Sequence, residues 1–193
     1  MNVIELEKGF VLNDNHLIKE EAIEKGFKLA HEVEETDTYF TDKDKEFVRT
    51  RTCLRIRRID SNYMELTYKA KSSQDTERYG KKEVNIQIKP TDYEDLVTVL
   101  SGLGYIKYVE FTKYRKVYSK KENNVEYNIM LDNIKGIGDF VEFEIITHED
   151  VSNSEREKKL ADFIDEFNMT NGVEKKKPYR DIAKEYFDKK DCI

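Results

Sequence analysis

The sequence is poor in the residue types that mark several common kinds of functional site. It has two cysteines, Cys53 and Cys192, in no Cys-x-x-Cys spacing, which argues against a disulfide framework, redox chemistry or a zinc site. Its three histidines are scattered without the spacing of metal ligands. The eight glycines form neither a Walker loop nor a Gly-x-Gly-x-x-Gly motif. Any metal or phosphate site must therefore be built from other groups.

Long apolar segments are missing as well. No run approaches the roughly 20 residues of a transmembrane helix, and residues 1–10 carry three charges without a signal-peptide core. We therefore expect a cytoplasmic protein with no membrane partner. The net charge of -6 argues against non-specific nucleic-acid binding. The length of 193 residues suits a single domain over 1–193, for which a homodimer is a compatible state.

Charged residues are abundant, at 38% of the chain against about 25% in typical soluble proteins. In residues 53–71 they follow a strand pattern, since side chains alternate between the two faces of a strand. Leu54 and Ile56 share one face, whereas Arg55 and Arg57 share the other. Lys69 and Lys71 repeat this spacing on the second strand of a predicted hairpin. Four cations thus lie on one face.

The whole chain shows strands in mainly hairpin-connected order with helices inserted between them, which predicts an α+β fold with a largely antiparallel sheet. We expect strands over 3–12, 27–40, 53–71, 82–88, 108–119, 125–131 and 140–146. Helices are expected after residue 14, after Pro90, over 154–168 and over 179–190, the third beginning with a Ser154–Glu157 capping box.

The polar faces of these strands are sorted by charge. Acidic side chains repeat on the strands that carry Glu5, Glu7, Glu142 and Glu144, together with Asp132 and Glu83. Basic ones repeat at Arg55, Arg57, Lys69, Lys71, Lys113 and Arg115. If helices cover the apolar faces, the charged faces can line a closed β-barrel with the helices packed on its outside. The alternative is an ordinary solvated sheet face.

Twelve charged side chains that face inwards would be strongly unfavourable without solvent or counter-charges. Such a lumen must therefore hold water, metal and a charged ligand. Carboxylate clusters suit Mg²⁺ or Mn²⁺. Clustered arginines and lysines suit a chain of phosphates. The combination predicts metal-assisted phosphoryl chemistry.

Several segments resemble the CYTH superfamily, the triphosphate tunnel metalloenzymes that include class IV adenylyl cyclases, thiamine triphosphatases and inorganic triphosphatases. The resemblance covers nearly the whole chain and rests on Glu5-Leu-Glu7, Asp37-Thr-Tyr-Phe40, Leu54-Arg-Ile-Arg57, Leu66-Thr-Tyr-Lys69, Lys113-Tyr-Arg115, Leu131-Asp132 and residues 138–144. The family opens with Glu-x-Glu-x-Lys, and here Gly9 holds the lysine position.

The resemblance implies a role for each of these residues. A small-molecule triphosphate would be bound by Arg55, Arg57, Lys69, Lys113 and Arg115, with Lys71 added for its place on the same face. The metal would be held by Glu5, Glu7, Glu142 and Glu144, with Asp132 in support. Glu7 and Lys69 are the expected catalytic residues, and Glu83 is expected to support a basic side chain.

Three activities are open at this point. The first is metal-dependent hydrolysis of an inorganic, nucleoside or thiamine triphosphate. The second is a class IV-type cyclase that makes cyclic AMP and pyrophosphate from ATP. The third is a non-catalytic module that binds polyphosphate or an RNA 5′ end, for which the acidic pairs offer no advantage unless metal is present.

Overall fold

The computed structural model describes residues 3–60, 62–70, 83–169 and 172–190. Its strands are β1 (Val3–Leu12), β2 (Lys28–Asp42), β3 (Cys53–Ile59), β4 (Tyr63–Lys69), β5 (Glu83–Ile88), β6 (Tyr105–Glu122), β7 (Val125–Ile134), β8 (Gly138–His148) and β9 (Val173–Glu174). Its α-helices are α1 (His16–Glu24), α2 (Glu46–Arg49), α3 (Tyr93–Gly102), α4 (Asn153–Asp165) and α5 (Tyr179–Lys190). A 3-10 turn at Pro90–Asp92 precedes α3.

The antiparallel α+β prediction is confirmed, and β1 and α5 have the predicted bounds. The predicted cap of α4 is wrong by two residues. Ser152 occupies the cap, where its hydroxyl accepts a hydrogen bond from the Glu155 amide at 3.3 Å. A serine two residues earlier satisfies the same helix-start pattern, so the sequence alone did not separate the two sites. Strand β9 was not predicted, because two residues are too few to show a periodic pattern.

The described residues form two compact units. The first unit lies within 1–33 and 113–176, and the second within 34–70, 83–112 and 177–190. In the first unit the strand order is β2-β6-β7-β8-β1-β9, and in the second it is β5-β4-β3-β2-β6, because β2 and β6 contribute residues to both. Among the described residues, the first and last strands of each order are not paired with each other, so closure of the sheet into a barrel remains a prediction. The single domain over 1–193 also remains a prediction.

Each unit buries its apolar strand faces beneath helices. In the first unit, Phe143 and Ile145 of β8 pack in a core with Phe163 of α4 and Ala22 of α1. In the second unit, the core is formed by Phe40, Leu54, Ile56, Met64 and Leu100, the last from α3. The alternate residues of the same strands, including Glu142, Arg55 and Arg57, are thereby directed to the other face. The predicted segregation of apolar and charged faces is confirmed on β3 and β8.

Turn chemistry fixes the strand registers. Asn123 and Asn124 have φ values of 51° and 62°, which suit the two-residue turn between β6 and β7. That turn sets Arg115 opposite Asp132.

Among the described residues, no helix has the length and apolar character needed to cross a membrane.

Candidate functional site

The first group of charges, the arginine cluster, consists of Arg55, Arg57, Glu35 and Asp37 in the second unit. The β2–β3 register places Arg57 opposite Asp37. Arg57 donates through Nε and Nη2 to the two Asp37 carboxylate oxygens, both at 2.7 Å, and Nη1 lies 3.1 Å from Glu35 Oε2. The side chains of Arg57 and Asp37 are 13% and 2% exposed. Arg57 is therefore held in a buried, bidentate ion pair.

Arg55 is bound less completely than Arg57. Its Nη2 donates to Thr67 Oγ1 at 3.3 Å, and Nη1 lies 3.6 Å from Asp37 Oδ2. Within the part of the chain that the structure describes, its buried Nε has no hydrogen-bond acceptor. Arg55 is therefore the arginine of this cluster with donor capacity left for a ligand.

Tyr39 lies beside the same charged groups. Burial and the neighbouring Asp37 charge raise the pKa of the Tyr39 hydroxyl well above its usual value.

Lys69 and Glu83 form a separate, half-exposed pair on β4 and β5. Lys69 Nζ lies 2.7 Å from Glu83 Oε2, and the side chains are 38% and 33% exposed. Burial opposes ionisation of Glu83, but the Lys69 ammonium outweighs it and holds the pKa of the carboxyl below its ordinary value. The structure thus places Glu83 against a predicted phosphate-binding cation. Lys71 lies outside the described residues.

The second group, the mixed cluster, lies in the first unit and consists of Lys113, Arg115, Lys175, Asp132 and Glu142. Arg115 donates to the Asp132 carboxylate at 2.7 and 2.5 Å, and to Glu142 Oε2 at 2.6 Å. Lys113 Nζ lies 3.6 Å from Asp132 Oδ2, whose side chain is fully buried.

Both carboxylates of the mixed cluster are held ionised. Burial alone would raise the pKa of Glu142, but the charges of Lys175, Arg115 and Lys113 outweigh burial and hold it far below its ordinary value. Lys113 and Arg115 likewise lower the pKa of Asp132 against the effect of its burial. Glu142 and Asp132, both predicted metal ligands, therefore serve in this structure as partners of basic side chains.

Glu5, Glu7 and Glu144 form a third group, the acidic trio. The β1–β8 register sets Glu7 directly opposite Glu144, an unfavourable position for like charges. Burial, together with the charges of Glu5 and Glu7, raises the pKa of Glu144 to about 7. Asn128 donates to Glu144 at 2.9 Å. A bound cation would relieve this repulsion.

The chemistry of the acidic trio fits a hard divalent cation such as Mg²⁺ or Mn²⁺, since all its donors are carboxylate oxygens. Its geometry is not that of a finished site: in the described ranges, no three or more His, Cys, Asp or Glu side chains are arranged to hold a metal ion. The Glu5, Glu7 and Glu144 carboxylates would have to converge when metal binds.

The structure thus divides the predicted site residues among four groups. Glu5, Glu7 and Glu144 lie near one another, as do Lys113, Arg115, Asp132 and Glu142. Arg55 and Arg57 share Asp37, and Lys69 pairs with Glu83. The prediction did not include Glu35, Asp37 or Lys175. Asp37 belongs to the segment Asp37-Thr-Tyr-Phe40, which resembles the family, so the sequence did contain a signal that could have identified it. Lys175 follows the two-residue strand β9, where no sequence pattern marks it.

The antiparallel strands and the helices packed on their apolar faces define an α+β protein with charged side chains gathered on the opposite strand faces. The chain belongs to the CYTH domain family, which matches residues 4–175. A candidate adenylate cyclase of Methanocaldococcus jannaschii is 30% identical over 142 residues, covering 74% of this chain and 77% of the relative.

Solved structures share the fold. A candidate adenylate cyclase of Vibrio parahaemolyticus superposes with a TM-score of 0.71 at 16% identity, over 93% of this chain and 97% of that one. A Hippeastrum protein, described as a candidate adenylyl cyclase with a dominant triphosphatase activity, gives 0.68 at 17% identity, over 96% of each chain.

Proposed function

We propose that this protein is an enzyme that hydrolyses a small-molecule triphosphate with the help of Mg²⁺ or Mn²⁺, bound in a closed, charged barrel. The observation that carries the proposal lies in the first unit. There the acidic trio, with Glu144 at a pKa of about 7, lies close enough to the mixed cluster for Arg115 to act on Glu144 electrostatically. Clustered carboxylates that lie beside clustered basic groups are suited to a metal–polyphosphate complex.

The proposed roles follow from these surroundings. Glu5, Glu7 and Glu144 would hold the metal, which when bound supplies charge neutralisation at phosphate oxygens. Lys113 and Arg115 would face phosphates, with Asp132 and Glu142 fixing their positions. Arg55, Arg57 and Lys69 are proposed as further phosphate contacts, and Glu7 and Lys69 as the catalytic residues.

A cyclase reaction is the second candidate. It is supported by the relative of Methanocaldococcus jannaschii that is described as a candidate adenylate cyclase and shares 30% identity with this chain. Hydrolysis and cyclisation need the same triphosphate and metal contacts, and differ in whether water or a ribose hydroxyl attacks. Binding without turnover is the third candidate, and the acidic trio is the feature that argues against it.

The first experiment incubates the protein with Mg²⁺ or Mn²⁺ and, separately, tripolyphosphate, ATP and thiamine triphosphate. We expect release of inorganic phosphate from at least one of them. Formation of cyclic AMP and pyrophosphate would instead establish the cyclase. Binding of all three with no product would establish a non-catalytic module.

Glu7→Gln tests the metal assignment. We expect it to lower phosphate release by about 100-fold or more, since losing even a residue that only orients a metal ligand costs about 10- to 100-fold. The matched control is Glu174→Gln, which removes a carboxylate from the neighbouring β9, where Glu174 pairs with Lys8 at 3.0 Å on the surface. Equal activity of the two variants at limiting metal would contradict the assignment.

A further inference from the structure

Gly9 lies where three elements of the first unit meet. It faces Glu142 across the β1–β8 register, and its carbonyl oxygen accepts a hydrogen bond from the Lys175 amide at 2.8 Å. Its backbone is not left-handed, so the conformation itself would accept any residue. The requirement for glycine comes from space. A Cβ at position 9 would lie 2.5 Å from Lys175 Cε and 3.3 Å from Glu142 Cγ.

The Lys175 side chain passes over Gly9 to reach the mixed cluster. Its Nζ lies 2.7 Å from Glu142 Oε1, and the side chain is only 11% exposed. The Glu142 carboxylate is shared, because Arg115 Nη2 donates to its other oxygen at 2.6 Å. A glycine in β1 thus gives a lysine from beyond β9 access to a buried position among charged side chains.

We propose that Lys175 is a phosphate-binding residue, which reaches the mixed cluster through the space left by Gly9. The proposal rests on the proposed function, because the phosphates are those of a triphosphate substrate. A lysine from the segment after β9 thus occupies the space beside the position at which the family's Glu-x-Glu-x-Lys motif has its lysine and this chain has Gly9.

Two physical features favour this role over a purely structural one. The described contacts set three basic side chains, Lys113, Arg115 and Lys175, around the carboxylates of Asp132 and Glu142. Arg115 binds one oxygen of the Glu142 carboxylate, and Lys175 brings a second positive charge to its other oxygen. In addition, a lysine on a flexible stem can shift its ammonium from a carboxylate to a nearby phosphate at little cost.

The test measures binding of tripolyphosphate by calorimetry. Lys175→Met keeps the length of the side chain and removes its charge, and we expect it to weaken binding at least about tenfold, as for the loss of one buried charge-assisted contact. Lys176→Met, at the adjacent exposed residue, is the matched control and should bind like the wild type.

Gly9→Ala is the second variant and leaves every charge in place. Its methyl group would meet the flexible end of Lys175 and displace it from Glu142, so binding should weaken while the thermal midpoint changes little. If Lys175→Met fails to fold, binding of tripolyphosphate by Gly9→Ala alone tests the role of Lys175. The double variant Gly9→Lys with Lys175→Ala moves the lysine from position 175 to position 9. We expect it to recover part of the binding that Lys175→Ala loses.

The outcomes separate the two proposals. If the wild type binds tripolyphosphate and Gly9→Ala and Lys175→Met bind it equally well, the role of Lys175 is overturned and the proposed function stands. If the wild type binds none of tripolyphosphate, ATP and thiamine triphosphate, with or without Mg²⁺, both are overturned.

Discussion

Among the contacts of the described residues, the two arginines of the arginine cluster face two carboxylates, Glu35 and Asp37, whereas three basic side chains of the mixed cluster face two carboxylates. The burial of the central arginines is nearly the same, at 13% exposure for Arg57 and 14% for Arg115. The two clusters therefore differ in charge balance rather than in access to solvent.

This difference concerns where a phosphate chain would be bound most tightly. In a matched set of buried ion pairs, a ligand gains little unless it displaces a carboxylate or binds a donor that is still open, as Arg55 Nε is among the described residues. The mixed cluster has an additional cation and the acidic trio beside it, a combination that favours an anion carrying a metal ion. We infer that the first unit supplies most of the binding energy for phosphates, and that Asp37 fixes Arg57 in position.

The largest effect should come from removing the central arginine of each cluster. Arg57→Met removes the bidentate partner of Asp37, and breaking such a buried pair costs about 3–5 kcal/mol. Arg115→Met leaves Asp132 and Glu142 with two lysines, so we expect a smaller loss of about 1–3 kcal/mol, as for an unmade buried polar contact. Urea unfolding of both variants measures the difference.

Lys116→Met, which removes an exposed cation of β6 that lies 3.2 Å from Glu32, is the control and should change stability by less than about 1 kcal/mol. If Arg115→Met destabilises as much as Arg57→Met, the two lysines do not compensate, and the comparison of the clusters fails.

The strand faces of both clusters could be predicted because alternation is a local property. Leu54 and Ile56 entered a core while Arg55 and Arg57 faced the other way, which a period of two residues dictates without knowledge of the partner strand. The same reasoning placed Glu142 and Glu144 on one face of β8.

The pairing within each cluster could not be predicted in the same way. Whether Glu142 binds metal or Arg115 depends on the register of β6, β7 and β8 and on a lysine some 30 residues further along the chain. Two acids on one face therefore acquired different surroundings: Glu142 is held ionised by basic groups, while Glu144 is crowded by Glu5 and Glu7.

Glu144→Gln sharpens the comparison further, because the acidic trio of the first unit places a crowded carboxylate beside the cations of the mixed cluster. In metal-free protein the folded-state pKa of Glu144, about 7, exceeds its ordinary value of 4.5. The folded state then binds the proton more tightly, so its contribution to stability is complete below pH 4.5 and is lost as the pH rises to about 7. Each unit of pKa difference is worth about 1.4 kcal/mol, which partial exposure reduces, so we expect a fall of about 1–3 kcal/mol.

Unfolding of wild type and Glu144→Gln between pH 5 and pH 8 in a chelating buffer would measure this fall. The glutamine variant should lack it, whereas Glu122→Gln, at an exposed position of β6, should retain it. Mg²⁺ or Mn²⁺ should also abolish the fall in the wild type, because a cation stabilises the ionised carboxylate. An unchanged pH profile in Glu144→Gln would show that the fall in stability does not come from the titration of Glu144.

The smallest effect is expected at the Lys69–Glu83 pair, which lies outside both clusters. Its side chains are 38% and 33% exposed, so Glu83→Gln should cost less than about 1 kcal/mol, and 1 M salt should remove most of that difference. The buried Arg57–Asp37 pair should respond far less to salt. A loss at Glu83 as large as that of Arg57→Met would mean that exposure does not rank these ion pairs. If Lys69→Met costs little stability but abolishes turnover, the proposed catalytic role of Lys69 is separate from its contribution to stability.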